Sequence, residues 1–218
     1  MADAVARRTE VQLRWTAAVA ALVGLGALVA QVLGLLPMAF FLTVLGAPSV
    51  VLLFVIAAHA RRINARTFLR MLRLGIVAGV LATFAYDGSR WLMTSAGIFD
   101  YNGFVAIYIF GGWITGSDPS TPASAVAGWT YHFWNGISFG IFYAMLFGGR
   151  HWLIGVAYGM LMEAMMLGLF PLFLRVTNKA DFIALSLIGH VFYGGVLGSI
   201  VERHGMSWAV PSKSGGPP

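Results

Sequence analysis

The sequence predicts an all-α polytopic membrane protein, a bundle of six transmembrane helices with one short re-entrant or interfacial apolar segment. Three observations predict it. Hydrophobic residues fill 59% of the 218 positions and charged residues only 10%, well under the roughly one quarter that clothes a soluble domain. Six stretches reach the ~20 mostly apolar residues that cross a bilayer. The few charges cluster between those stretches. A soluble enzyme, a nucleic-acid-binding domain and a disordered chain are thereby excluded. The net charge of +6 belongs to membrane topology, and no nucleic-acid partner is expected. The absence of cysteine removes disulfides, thiolate metal sites and cysteine nucleophiles.

The first span runs from Trp15 to Leu36. Its apolar stretch exceeds a signal-peptide h-region, and no small-residue cleavage pattern follows it. A hairpin at Leu36-Pro37 leads to the second span, Met38 to Ala60. Arg7, Arg8 and Arg14 precede the first span, and Arg61, Arg62, Arg66, Arg70 and Arg73 follow the second. Both groups therefore face the cytoplasm, with the second also placed to meet anionic lipid head groups. The expected location is the inner (plasma) membrane, with both termini cytoplasmic.

Span three runs from Leu72 to Gly97. The segment from Gly103 to Gly116 is apolar but short and glycine-interrupted, and turn residues flank it: Asn102-Gly103 before, Ser117 to Pro122 after. It reads as re-entrant or interfacial rather than as a crossing. Spans four, five and six run from Ala125 to Gly148, Trp152 to Leu174 and Phe182 to Val201. Pro171 is expected to kink span five. Residues 1–206 read as one domain, and residues 207–218, ending Ser-Gly-Gly-Pro-Pro, as a disordered tail.

Ionisable groups in hydrocarbon cost a few kcal/mol each. Five lie inside these spans: Asp87 and Arg90, His132, Glu163, and His190. At ~1.5 Å rise per residue, they fall about 10–16 Å below the outer ends of their spans. One polar layer thus collects residues from four helices. A seventh crossing would put Asp87 and Arg90 at a different depth from the histidines, so the coincidence favours six.

A second pattern supports the layer. Span four reads His132-x3-Gly136-x3-Gly140 and span six His190-x3-Gly194-x3-Gly198. Spans three and five carry the mirror order, Gly75-x3-Gly79-x3-Thr83-x3-Asp87 and Gly155-x3-Gly159-x3-Glu163. Small residues four apart let helix backbones approach and share a face with the ionisable residue. Antiparallel helices would then share a close-packed inner half and a polar outer half.

Two imidazoles and two carboxylates form a ligand set suited to a transition metal, Zn, Fe or Mn, so the preferred reading places a metal on Asp87, His132, Glu163 and His190. Asn135 and Tyr193, each at i+3 from a histidine, stand on the faces expected to support it, with Arg90 and Tyr131 as further support or substrate contacts. Such a site would serve an intramembrane enzyme acting on a lipid or other apolar substrate. The alternatives are a proton pathway or proton-coupled transporter without metal, in which Asp87 and Arg90 neutralise each other, a haem held by His132 and His190, and a non-catalytic auxiliary subunit. The expected partners are membrane lipid, a membrane-protein complex or a second copy of the chain. Gly136-Ile137-Ser138-Phe139-Gly140 fits Gly-x-Ser-x-Gly but lies in a continuous apolar helix, without the strand-turn-helix that exposes a nucleophile.

Overall fold

The structure is a computed structural model that describes residues 2–174 and 178–205, with side chains from residue 8 onward. The expected disordered tail, 207–218, lies outside the described residues. Among these, all regular structure is helical.

α1 (Ala2–Ala21) and α2 (Val23–Val32) are separated by a single turn residue, Leu22. The chain then reverses at Gly34, where φ is +67° and the Leu35 amide donates to the Ala30 carbonyl. This is the left-handed helix ending that glycine adopts without a Cβ clash. Gln31 Oε1 accepts the Met38 amide at 2.6 Å and so ties the two arms of the hairpin. Gln31→Ala leaves that amide without its partner, at an expected cost of about 1 kcal/mol. A lower thermal midpoint in detergent, with unchanged elution volume, is the readout.

The second arm comprises α3 (Met38–Phe41), a π turn (Leu42–Gly46) and α4 (Ala47–Arg62). Pro48 has no amide to donate to Val44, and its ring would press on that carbonyl. Widening the preceding turn to π geometry lets the helix continue past it.

α5 (Arg66–Ser95) is 30 residues long. α6 (Val105–Thr115) has 11 residues, about 16 Å, which is too short to cross. α7 (Pro122–Phe147) starts on Thr121, whose side chain accepts the Ser124 amide, with proline at the first helical position. α8 (Trp152–Leu169) is capped by the His151 ring, and α9 (Lys179–His204) by Asn178, which accepts the Asp181 amide. The expected kink at Pro171 is corrected: α8 ends at Leu169 and Pro171 sits in the 3-10 turn Phe170–Leu172. A proline within the first turn after a helix ends it, because the i−4 bond is lost.

Among the described residues, five helices are long and apolar enough to cross a membrane: Arg8–Val32, Met38–Arg62, Arg66–Ser95, Trp152–Leu172 and Lys179–His204. The sequence expectation of six is thus met for five. α7 has 26 residues but is not one of them; it carries His132, Asn135, Ser138 and three glycines in its central turns.

α5 lies at the centre, with α7 and α9 packed against it; α8 packs on α9, α6 on α7, and α1 on both α7 and α4. Polar ties fix the ends. Arg70 donates to the His204 carbonyl at 3.1 Å and the Trp152 amide to the Glu202 carboxylate at 3.0 Å. The starts of α5 and α8 therefore share one end with the finish of α9. At the opposite end the Asp100 amide donates to the Asp181 carboxylate at 2.8 Å.

Candidate functional site

The glycine stripes work as two seams. On α5 and α7, a Cβ at Gly79 would lie 2.6 Å from the Gly136 carbonyl oxygen, and one at Gly75 2.7 Å from Ile141 Cα. On α8 and α9, a Cβ at Gly155 would lie 2.6 Å from Gly198 Cα, and Gly159 faces the His190 carbonyl. Both seams have the same register. Thr83 meets Gly136 as Gly159 meets Gly194, and Gly79 meets Gly140 as Gly155 meets Gly198.

Backbones this close leave no room for long side chains in the inner half, so each seam ends on its ionisable pair. His132 Nε2 lies 3.0 and 2.9 Å from the two Asp87 oxygens. His190 Nδ1 lies 2.8 Å from Glu163 Oε2 and 3.0 Å from the Ser186 carbonyl. A carbonyl only accepts, so Nδ1 carries a proton. Ser186 Oγ donates to the same Glu163 oxygen at 2.5 Å. Glu163 is 3% exposed, and its other oxygen, Oε1, has no hydrogen-bond partner among the described residues.

Tyr86 stands between the pairs, its ring centroid 6.1 Å from that of His132 and 4.9 Å from that of His190. Both histidines, Tyr86, Asn135 and Tyr193 line one cavity of about 120 Å³, closed otherwise by residues such as Leu28, Phe110, Phe139 and Met162. The five ionisable residues gather around Tyr86, which stands between the two pairs and beneath the Arg90 guanidinium.

Their expected partners are partly corrected. Asp87 and Arg90 do not neutralise each other by contact. The Asp87 carboxylate is taken by His132, whereas Arg90 donates to the Gly103 carbonyl and lies over the rings of Tyr86 at 4.6 Å and Phe104 at 5.2 Å. The loop carbonyl and ring faces draw the long guanidinium away from its i−3 neighbour. Tyr193 donates to the Gly136 carbonyl and Tyr131 to the Gly24 carbonyl, both at 2.8 Å, rather than to either pair. Asn135 lines the cavity with its carboxamide oxygen against Gly24.

Several groups escaped the sequence reading. Ser186 stands four residues before His190, one turn along the same face, so its spacing was a usable signal. Tyr86, adjacent to Asp87, carried none. Inward from the layer, Tyr158 donates to the Phe139 carbonyl at 3.3 Å, and the Tyr143 ring lies 5.3 Å from that of Tyr158. With Tyr193 they place three buried phenols along the Gly136, Phe139 and Tyr143 side of α7.

The four expected metal ligands are divided between two seams. Among the described residues, no group of three or more metal-ligating side chains converges. Each carboxylate faces its own imidazole, so the donor set does not fit a single four-ligand cage. A haem between His132 and His190 fits no better, because the Tyr86 ring fills the space between them.

The Family of unknown function (DUF6789) matches residues 69–208, well over half of the chain, and the chain belongs to that family. The match starts on α5 and runs past α9, so it contains both seams and both pairs and leaves the N-terminal hairpin outside. No curated protein and no solved structure matches the chain.

Proposed function

We propose that the chain is a six-crossing inner-membrane protein that exchanges protons through two histidine–carboxylate pairs, as the coupling layer of a proton-coupled transporter. One observation carries the reading: two such pairs, in equivalent register on two glycine seams, flank a single cavity. Histidine serves as a proton shuttle, and a carboxylate beside one gives or takes the same proton. Tyr193, Tyr158 and Tyr143 continue the hydroxyl-bearing path into the inner half.

α7 serves as the sixth crossing. It lies antiparallel along α5 from Asp87·His132 to Gly75·Ile141, about 18 Å of helix, and so shares the depth of a helix that crosses. The arginines at the starts of the first and third crossings put both termini in the cytoplasm.

Infrared difference spectroscopy of the full chain, stepped between about pH 8 and 5, tests proton exchange. Carboxyl and imidazole bands are expected to change together. Asp87→Asn and Glu163→Gln should each remove a separate part of the signal. Wild-type and variant difference spectra that superimpose would show the layer locked in one charge state, and the reading would fall.

A further inference from the structure

Asp87 faces two ways. Its partner His132 lines the inner cavity, but Asp87 itself lines a separate groove of about 470 Å³ together with Phe84, Trp91, Phe104, Tyr108 and Trp129. One carboxylate among five aromatic rings is the chemistry of an organic-cation site: ring faces attract a dispersed positive charge, most strongly when it is desolvated. We infer that this groove binds a lipophilic organic cation, with Asp87 as its counter-ion, in exchange for the proton that the Asp87–His132 pair carries. The inference rests on the proton-exchange reading for its coupling, and on the groove for its ligand.

Charge supports a monocation. The groups around Asp87 and its neighbour Tyr86 are His132 from α7, Glu163 from α8, His190 from α9, Tyr108 from α6, and Arg90 from their own helix. With imidazoles neutral and carboxylates ionised, two acids face one guanidinium, and the layer is one negative charge in excess. Arg90 is held on the Gly103 carbonyl and on Tyr86 and covers one face of Phe104, which leaves the Asp87 carboxylate and the other four rings to the ligand. A proton on either histidine cancels the excess, so proton and cation compete for one charge.

Access and depth select the occupant. Phe84 and Trp91 are 59% and 61% exposed on the outer face of α5, so the groove opens sideways to the bilayer. Eight residues, about 12 Å of helix, separate Asp87 from the end of α5 at Ser95. That is deeper than a phospholipid ammonium sits, and it suits a cation that partitions into the hydrocarbon.

Binding of tetraphenylphosphonium to the full chain in detergent, followed by equilibrium dialysis, tests this. Saturable binding is expected, weakening on acidification from about pH 8 to 5, with the uncharged triphenylphosphine oxide about tenfold or more weaker. Asp87→Asn should lose about tenfold or more and Trp129→Leu about three- to tenfold, each with a wild-type elution profile. If Asp87→Asn does not fold, the pH dependence and the neutral comparator decide with wild-type protein. Equal binding of the neutral compound, full affinity in Asp87→Asn, or displacement by added phosphatidylethanolamine each overturns the inference. An intact infrared titration without cation binding sinks this inference alone. Cation binding with a silent titration keeps the site and removes the proton exchange.

Discussion

Leucine in place of Gly140 or Gly194 is expected to leave no folded protein to purify. At Gly140 a Cβ would stand 2.6 Å from Gly79 Cα, and at Gly194 2.9 Å from Val156 Cα, with the Gly155 carbonyl closer still. These neighbours are backbone, which no rotamer change moves, so the seam itself must open. Overpacking a core ordinarily costs about 1–3 kcal/mol because side chains yield; here nothing yields, and the loss exceeds about 3 kcal/mol. Opening either seam also draws a histidine from its carboxylate and leaves an uncompensated charge in the membrane. Elution volume and near-ultraviolet circular dichroism check this. The control is one residue away: Gly195, like Gly168, has open space where a Cβ would stand, so Gly195→Leu should purify as wild type. If Gly194→Leu and Gly195→Leu behave alike, the seam is not where α8 and α9 meet.

The seams were legible because a repeat of four residues states both a helix and a face. Glycines leading to Asp87 and Glu163, and away from His132 and His190, gave the antiparallel pairing before any coordinate did. The ligand set was not legible, for a physical reason. Rise per residue fixes height along the membrane normal and says nothing of azimuth. Four residues at one height became one predicted cage, whereas rotation of α5 and α8 about their axes gives each acid its own histidine. Arg90 shows the same limit. Three residues on a helix guarantee that two backbones are near, but a guanidinium on a long stem goes to whatever accepts it, here the Gly103 carbonyl. Tyr86 was hidden because an aromatic residue in an apolar span is ordinarily packing, and only the position of α9 turns it into the divider between the two pairs. By contrast, Pro48 and the spacing of Ser186 from His190 were signals in plain view that the sequence reading left unused.

Loss of His190 alone is expected to be more harmful than loss of His190 and Glu163 together. In His190→Leu the Glu163 carboxylate, 3% exposed, keeps the Ser186 hydroxyl as its one remaining partner among the described residues. Breaking one side of a buried pair costs about 3–5 kcal/mol, whereas an apolar pair of similar volume is often neutral or better. The double variant His190→Leu/Glu163→Leu should therefore recover most of the stability, since leucines suit the apolar seam and Ser186 can turn to a carbonyl of its own helix. Unfolding in mixed micelles of increasing denaturing detergent measures all four corners of this cycle. The sign of the coupling separates architecture from function. A stable double variant that has lost its share of the infrared proton signal shows that Glu163 is kept in the membrane for its charge rather than to hold the bundle together. If His190→Leu alone is as stable as wild type, Glu163 needs no partner, and the α8–α9 pair is not the charge-compensated unit on which proton exchange depends.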